Sequence, residues 1–195
     1  MKIGVLALQG DFAAHLEALA REQIEGIAVR YAAQLPDLDG LIIPGGESTT
    51  LLNLIGDRRL EGPLREFHAR GGAVFGTCAG AILVARAVLR PQQPSFGFID
   101  IEVERNAYGR QRESFETAEI ADAFGEDPLP MIFIRAPRIR KVGPGVEVLA
   151  SCGGGPVMVR QGRVLAGTFH PELGRDGRPH RYFAAMAAER IPTPS

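Results

Sequence analysis

Across roughly the first ninety residues, short apolar runs alternate with stretches of helical periodicity. Residues 3–8, 26–31, 38–43 and 73–76 are apolar almost throughout, as strands covered on both faces are. Residues 11–22 set Phe12, Leu16 and Leu19 on one helical face. Ser48 and Thr49 read as the cap of a helix carrying Leu51, Leu52 and Ile55. Residues 60–70 form a further helix closed by Gly71 and Gly72, and residues 79–88 another. This alternation specifies a mostly parallel sheet with helices on both faces. The expected class is α/β, a flavodoxin-like or Rossmann-like three-layer sandwich.

The second half changes character. Residues 97–104, 131–134, 146–150, 156–160 and 163–169 read as short strands, with a hairpin turn at 160–163. They predict an added antiparallel region, followed by a helix over about 179–189. Pro91-Gln92-Gln93-Pro94 reads as a connector within one domain spanning 1–195.

The 195 residues suffice for one complete core. Lys and Arg total 22 against 23 Asp and Glu, without a basic block, which argues against a nucleic-acid partner. The N-terminal apolar run is too short to span a bilayer and lacks a signal-peptide cleavage pattern. A cytoplasmic protein without membrane partners is expected. The two cysteines form no C-x-x-C pair, so neither a disulfide framework nor a structural metal site is indicated. No metal or cofactor is expected.

Three segments carry chemistry. In the first, the run from Ala73 ends in Gly76-Thr77-Cys78-Ala79-Gly80, a strand entering a tight small-residue turn and then a helix. Such an elbow exposes a nucleophile at a helix N-terminus, where negative charge is favoured. It also leaves the Ala79 N–H free for a developing oxyanion. The second, His170-Pro171-Glu172, lies far downstream. In extended backbone His170 and Glu172 point to the same side, so Glu172 can orient the imidazole while its other nitrogen serves Cys78. The third, Pro44-Gly45-Gly46-Glu47-Ser48, follows a strand but lacks the Lys of a phosphate loop. A backbone oxyanion donor at Gly46 fits it better. A buried cysteine that merely packs would leave the small neighbours and the downstream His-x-Glu unexplained.

Other candidates are weaker. His15, His68 and His180 fall in helical stretches and read as ordinary surface or packing residues. Cys152, before three glycines, reads as a bystander. Arg105 follows a strand in a polar loop, where an arginine is either solvated or a clamp for a substrate carboxylate.

Taken together, Gly76–Gly80, Pro44–Glu47 and Phe169–Glu172 resemble class I (triad) glutamine amidotransferases. Further segments narrow the resemblance to the glutaminase subunits of pyridoxal 5′-phosphate synthase. These are Leu8-Gln9-Gly10-Asp11, Pro44 to Thr50, Val103 to Asn106, Gly109-Arg110-Gln111 and Phe133-Ile134-Arg135-Ala136-Pro137. The resemblance covers nearly the whole chain. It implies hydrolysis of L-glutamine to glutamate and ammonia. The ammonia would pass to a barrel-shaped synthase subunit that builds the vitamin B6 cofactor. Cys78 would be nucleophile, His170 base and Glu172 orienter. Glutamine would be held by Gly46, Glu47, Ser48, Arg105, Ile134 and Arg135.

Three alternatives compete with this reading. Another amidotransferase's glutaminase subunit would share triad and fold, but not the Arg105 and Phe133–Pro137 segments. A flavodoxin-like cysteine peptidase or chaperone would carry a histidine directly after the cysteine, where Ala79 stands. A pseudo-glutaminase would not need Cys78, His170 and Glu172 intact.

Overall fold

The computed structural model describes residues 1–105 and 114–189. In chain order the elements begin with β1 (Lys2–Leu6), α1 (Phe12–Arg21), β2 (Glu25–Val29), β3 (Gly40–Ile43), α2 (Ser48–Asp57) and α3 (Glu61–Ala69). Then come β4 (Ala73–Thr77), α4 (Ala79–Val84), β5 (Ala85–Leu89), β6 (Ile99–Glu104), β7 (Ser114–Glu119) and β8 (Leu129–Ile134). The last are β9 (Arg138–Val142), β10 (Glu147–Cys152), β11 (Gly155–Gln161), β12 (Val164–Gly167) and α5 (Arg178–Ala188).

The main sheet has seven strands in the order β10-β11-β12-β4-β3-β1-β2. From β12 to β2 every neighbouring pair is parallel, and β10 and β11 add antiparallel strands at one edge. Strands β3, β4 and β12 are buried along their whole length. Alternate residues feed two separate cores. Leu41, Ile43 and Val74 pack with Leu51, Ile55, Leu64 and Phe67 from α2 and α3. Ile42 and Phe75 pack on the opposite face with Leu19 of α1 and Phe183 of α5. Period-2 alternation with both faces covered explains why these strands read as unbroken apolar runs. The expected α/β class and the antiparallel addition are both present.

Two smaller sheets lie beside it, β5-β6-β9 and the hairpin β7-β8. They account for the main departures from the sequence reading. The helix expected over 79–88 ends at Val84, and Ala85 is already extended (φ −61°, ψ 152°). Pairing with β6 overrides helix propensity there, and Arg86 bonds Asp100 and Glu102 across the ladder. Strand β9 is absent from the sequence reading because it is an edge strand in which only Ile139 is buried. Its Arg138, Arg140 and Lys141 carry no strand signal. Strand β7 has no fully buried position, for the same reason. The hairpin turn at 160–163 is present between β11 and β12, with Gly162 at φ +56°.

Candidate active site

The C-terminal ends of β1, β3, β4 and β12 converge at one edge of the sheet, where α/β folds place their sites. Strand β4 delivers Cys78 into an elbow whose backbone is strained, at φ 48° and ψ −103°. A non-glycine residue there costs on the order of 1–3 kcal/mol, and the surroundings must enforce it. They do so in two ways. The Cys78 N–H donates to the Gly167 carbonyl at 2.8 Å, pinning the elbow to β12. A side chain at Gly80 would strike the Ile43 carbonyl at 1.9 Å, so the turn can press directly against β3.

The parallel register Gly167↔Thr77 brings the segment after β12 beside Cys78. His170 and Glu172 are 4% and 2% exposed, and Nδ1 lies 2.8 Å from the Glu172 Oε1. Their meeting has a different cause from the one expected. Strand β12 stops at Gly167, and the Leu173 N–H closes a turn onto the His170 carbonyl at 3.4 Å. The turn around Pro171, not extended backbone, folds the carboxylate back onto the ring. Burial opposes charge on His170. Hydrogen bonds with the Cys78 sulfur and Glu172 outweigh it and raise the imidazole to about 10. Burial likewise raises Glu172, against the hydrogen bond and charge of His170. With Nδ1 engaged by Glu172, Nε2 is the nitrogen left for the sulfur.

These residues open into a cavity of about 330 Å³. All the residues singled out for catalysis or glutamine binding except Glu172 line it: Cys78, His170, Gly46, Ala79, Glu47, Ser48, Arg105, Ile134 and Arg135; Glu172 lies behind His170. Gly10, Asp11, Ile82 and Pro137 complete the wall. Asn106, Gly109, Arg110 and Gln111 of the resemblance lie outside the described residues.

Several roles differ from the sequence reading. Glu47, not Ser48 or Thr49, caps α2, accepting from the Thr49 and Thr50 N–H groups. Burial works against its charge, but these hydrogen bonds win and hold the carboxyl near 2. The Ser48 hydroxyl donates to Gln93 Oε1 at 3.0 Å, and Arg105 Nη1 donates to the same oxygen at 2.6 Å. Arg105 Nη2 also reaches Glu47 at 3.1 Å. Arg105 is thus a held side chain, 15% exposed, rather than a solvated loop residue. Gln93, read only as part of a connector, is the residue that holds it. No local pattern in the sequence marks a glutamine between two prolines as part of a site.

His15 and His180 are corrections of a larger kind. Both are fully buried, joined Nδ1 to Nε2 at 3.0 Å, and His15 reaches Glu172. His68 is a packing residue against Phe98, ring centroids 4.3 Å apart. Cys152 lines a different cavity, and burial and Glu119 push its thiol up. Among the described residues, Asp11, His170 and Glu172 offer ligand atoms within 4.8 Å of one another, but His170 Nδ1 is already bonded to Glu172.

The profile of the SNO glutamine amidotransferase family matches residues 5–189. The chain is 55% identical to the pyridoxal 5′-phosphate synthase subunit PdxT of Koribacter versatilis, covering 95% of each chain. It is 51% identical to the Deinococcus radiodurans protein of the same name, covering 97% of this chain and 99% of the other. A solved structure described as a glutamine amidotransferase superposes with TM-score 0.90 at 50% identity, over 96% of this chain and 99% of that one. The structure of PurLQS from Thermotoga maritima, at 17% identity and TM-score 0.70 over 94% of this chain and 97% of that one, shares the fold.

Proposed function

The chain belongs to the SNO glutamine amidotransferase family, and we propose that it is a cysteine-dependent glutaminase. It hydrolyses L-glutamine to glutamate and ammonia, and delivers the ammonia to the synthase component of pyridoxal 5′-phosphate synthase. The observation that carries this reading is the buried His170–Glu172 pair at 2.8 Å, with its ring against Cys78 on a strained elbow. The PdxT names of relatives at 50–55% identity support the synthase as partner.

His170, held through Nδ1 by Glu172, takes the Cys78 proton and so frees the sulfur to attack. The Cys78 sulfur attacks the side-chain carboxamide carbon of glutamine. Negative charge develops on the carbonyl oxygen, where the N–H groups of Ala79 and Gly46 receive it. His170 gives its proton to the departing ammonia, leaving a thioester on Cys78. His170 then takes a proton from water, which attacks the thioester. Glutamate leaves, and the proton on His170 again faces the thiolate. Glu172 stays ionised throughout, holding the ring by Nδ1 and stabilising its positive form. Arg105 and Arg135 bring positive charge for the amino-acid carboxylate. Glu47 and Ser48 shape the same wall, and Ile134 bounds the pocket beside the sulfur.

Ammonia delivery calls for a site that works only with its partner present. Free ammonia in water becomes protonated and stops being a nucleophile. The enzyme therefore works bound to its synthase. Among the described residues, no helix is long and apolar enough to cross a membrane.

A glutamine analogue bearing an electrophile tests the assignment of the nucleophile. Peptide mass spectrometry should find the adduct on Cys78, with Cys152 unlabelled. An adduct mainly on Cys152 would overturn it.

A further inference from the structure

Behind the triad runs a second polar chain. His15 sits one turn into α1 with no exposure, and His180 lies on α5, equally buried. Their rings meet through His15 Nδ1 and His180 Nε2 at 3.0 Å. The other nitrogen of His15, Nε2, lies 3.0 Å from Thr77 Oγ1 and 3.4 Å from Glu172 Oε2. Oε2 is the carboxylate oxygen that His170 does not use. It is buried without a hydrogen-bond partner, and His15 Nε2, which bonds Thr77 Oγ1, faces it at 3.4 Å. His180 Nδ1 is also buried without a partner.

Both rings are held neutral. Burial pushes His15 well down, with His180 and His170 adding to the effect. Burial followed by Arg21 lowers His180 to about 4, with Glu22 opposing. Each ring therefore carries one N–H, and the bond between them leaves two arrangements. In one, His15 Nδ1–H donates to His180. The proton of His180 then sits on Nδ1, a buried donor without an acceptor, and the bare Nε2 of His15, although it can accept from the Thr77 hydroxyl, also faces a carboxylate oxygen. In the other, His180 Nε2–H donates to His15 Nδ1. His180 Nδ1 is then a bare lone pair, and the proton of His15 sits on Nε2, aimed between Thr77 and Glu172. Only the second arrangement leaves no buried N–H orphaned and sets no lone pair against the carboxylate.

We propose that His15, fixed in its Nε2–H tautomer by His180, is a positioning residue that holds the second oxygen of Glu172 and thereby the orientation of His170. This rests on the glutaminase reading above. His15 touches neither substrate nor sulfur and acts through the carboxylate. The groups facing Glu172 are His170, His15 and Asp11, whose Oδ2 lies 3.5 Å from His170 Nδ1. Of these side chains, only His15 faces Oε2, while the backbone N–H of Glu172 also bears on the carboxylate. A donor there favours the ionised carboxylate, so its loss raises the pKa of Glu172. A protonated Glu172 no longer stabilises the imidazolium, and the acid limb of the turnover profile moves to higher pH.

The test compares H15N with H15Q in the synthase-bound enzyme. Asparagine reaches only the place of Nδ1, toward His180. Glutamine carries an amide N–H to the place of Nε2, toward Glu172. H15N should lose about ten- to hundredfold in kcat with the KM for glutamine little changed, since the lost contact bears on a charged group. Its acid limb should shift upward, and H15Q should recover most of the turnover and the original limb. Equal behaviour of the two variants, both normal or both impaired, would overturn the proposal. Nitrogen-15 NMR of the unmodified chain supplies a readout independent of variant folding and of activity. His15 should be protonated on Nε2 and bare on Nδ1, and the opposite tautomer would refute the assignment. If the chain released no ammonia while His15 showed the expected tautomer, the glutaminase reading would fail and the hydrogen-bond chain would stand.

Discussion

At the scale of single residues, proton transfer and orientation are separable. In the proposed mechanism His170 carries the proton, whereas Glu172 holds the ring through one 2.8 Å bond. His170→Ala should therefore reduce kcat on the order of 10²–10⁴-fold, and Glu172→Gln by less. The reverse order in steady-state turnover would contradict these roles. Arg105 has a different part. Held by Gln93 and Glu47, it faces the cavity without touching the reacting atoms. Arg105→Ala should raise the KM for glutamine about ten- to hundredfold and change kcat less, as loss of uniform binding to a charged group does. Unchanged kinetics would make Arg105 a scaffold for Glu47 alone.

At the scale of elements, what was legible follows from burial. Strands β1, β3, β4 and β12 are covered on both faces, and their apolar runs announced them. Cys78, His170 and Glu172 stood out because a tight elbow and a His-x-Glu segment need particular residues at close spacing. Strands β7 and β9 and the end of α4 were hidden because exposed edges and strand pairing leave little mark on composition. His15, His180 and Gln93 were hidden for another reason. Their partners lie far away in the chain, 165 positions in the case of His15 and His180, and no local spacing encodes such a meeting. The loop after β1 shows the same kind of contact. Gln9 bonds the Glu47 peptide from both sides, donating to its carbonyl at 3.2 Å and accepting from its N–H at 3.4 Å. The Asp11 N–H donates to the Gly45 carbonyl at 3.3 Å. Gly46, at φ +140°, occupies a conformation that side chains rarely adopt and that glycine enters freely. A partner pressing on residues 9–11 has a direct mechanical route to the Gly46 N–H. One oxyanion donor turned away costs about 10²–10³ in rate. Glutaminase turnover of the chain alone should therefore be far below that with the synthase partner. Equal turnover in both conditions would leave channelling as the only reason for association.

At the scale of the whole molecule, one sheet edge gathers Cys78 from β4, His170 from the turn after β12 and the Gly45–Gly46 loop from β3, the proposed nucleophile, base and oxyanion donor. The loop after β1 braces them, while α1 and α5 supply a buried histidine pair behind the carboxylate. The antiparallel strands and the two small sheets extend this frame, and the end of β8 brings Ile134 and Arg135 to the cavity. The central claim is that this edge is a glutaminase working through Cys78. Release of ammonia from L-glutamine in the presence of the synthase partner, measured for the unmodified chain and for Cys78→Ala, tests it most directly. Sustained ammonia release is expected from the unmodified chain, and none above background from a folded Cys78→Ala variant. Comparable release from both would contradict the claim.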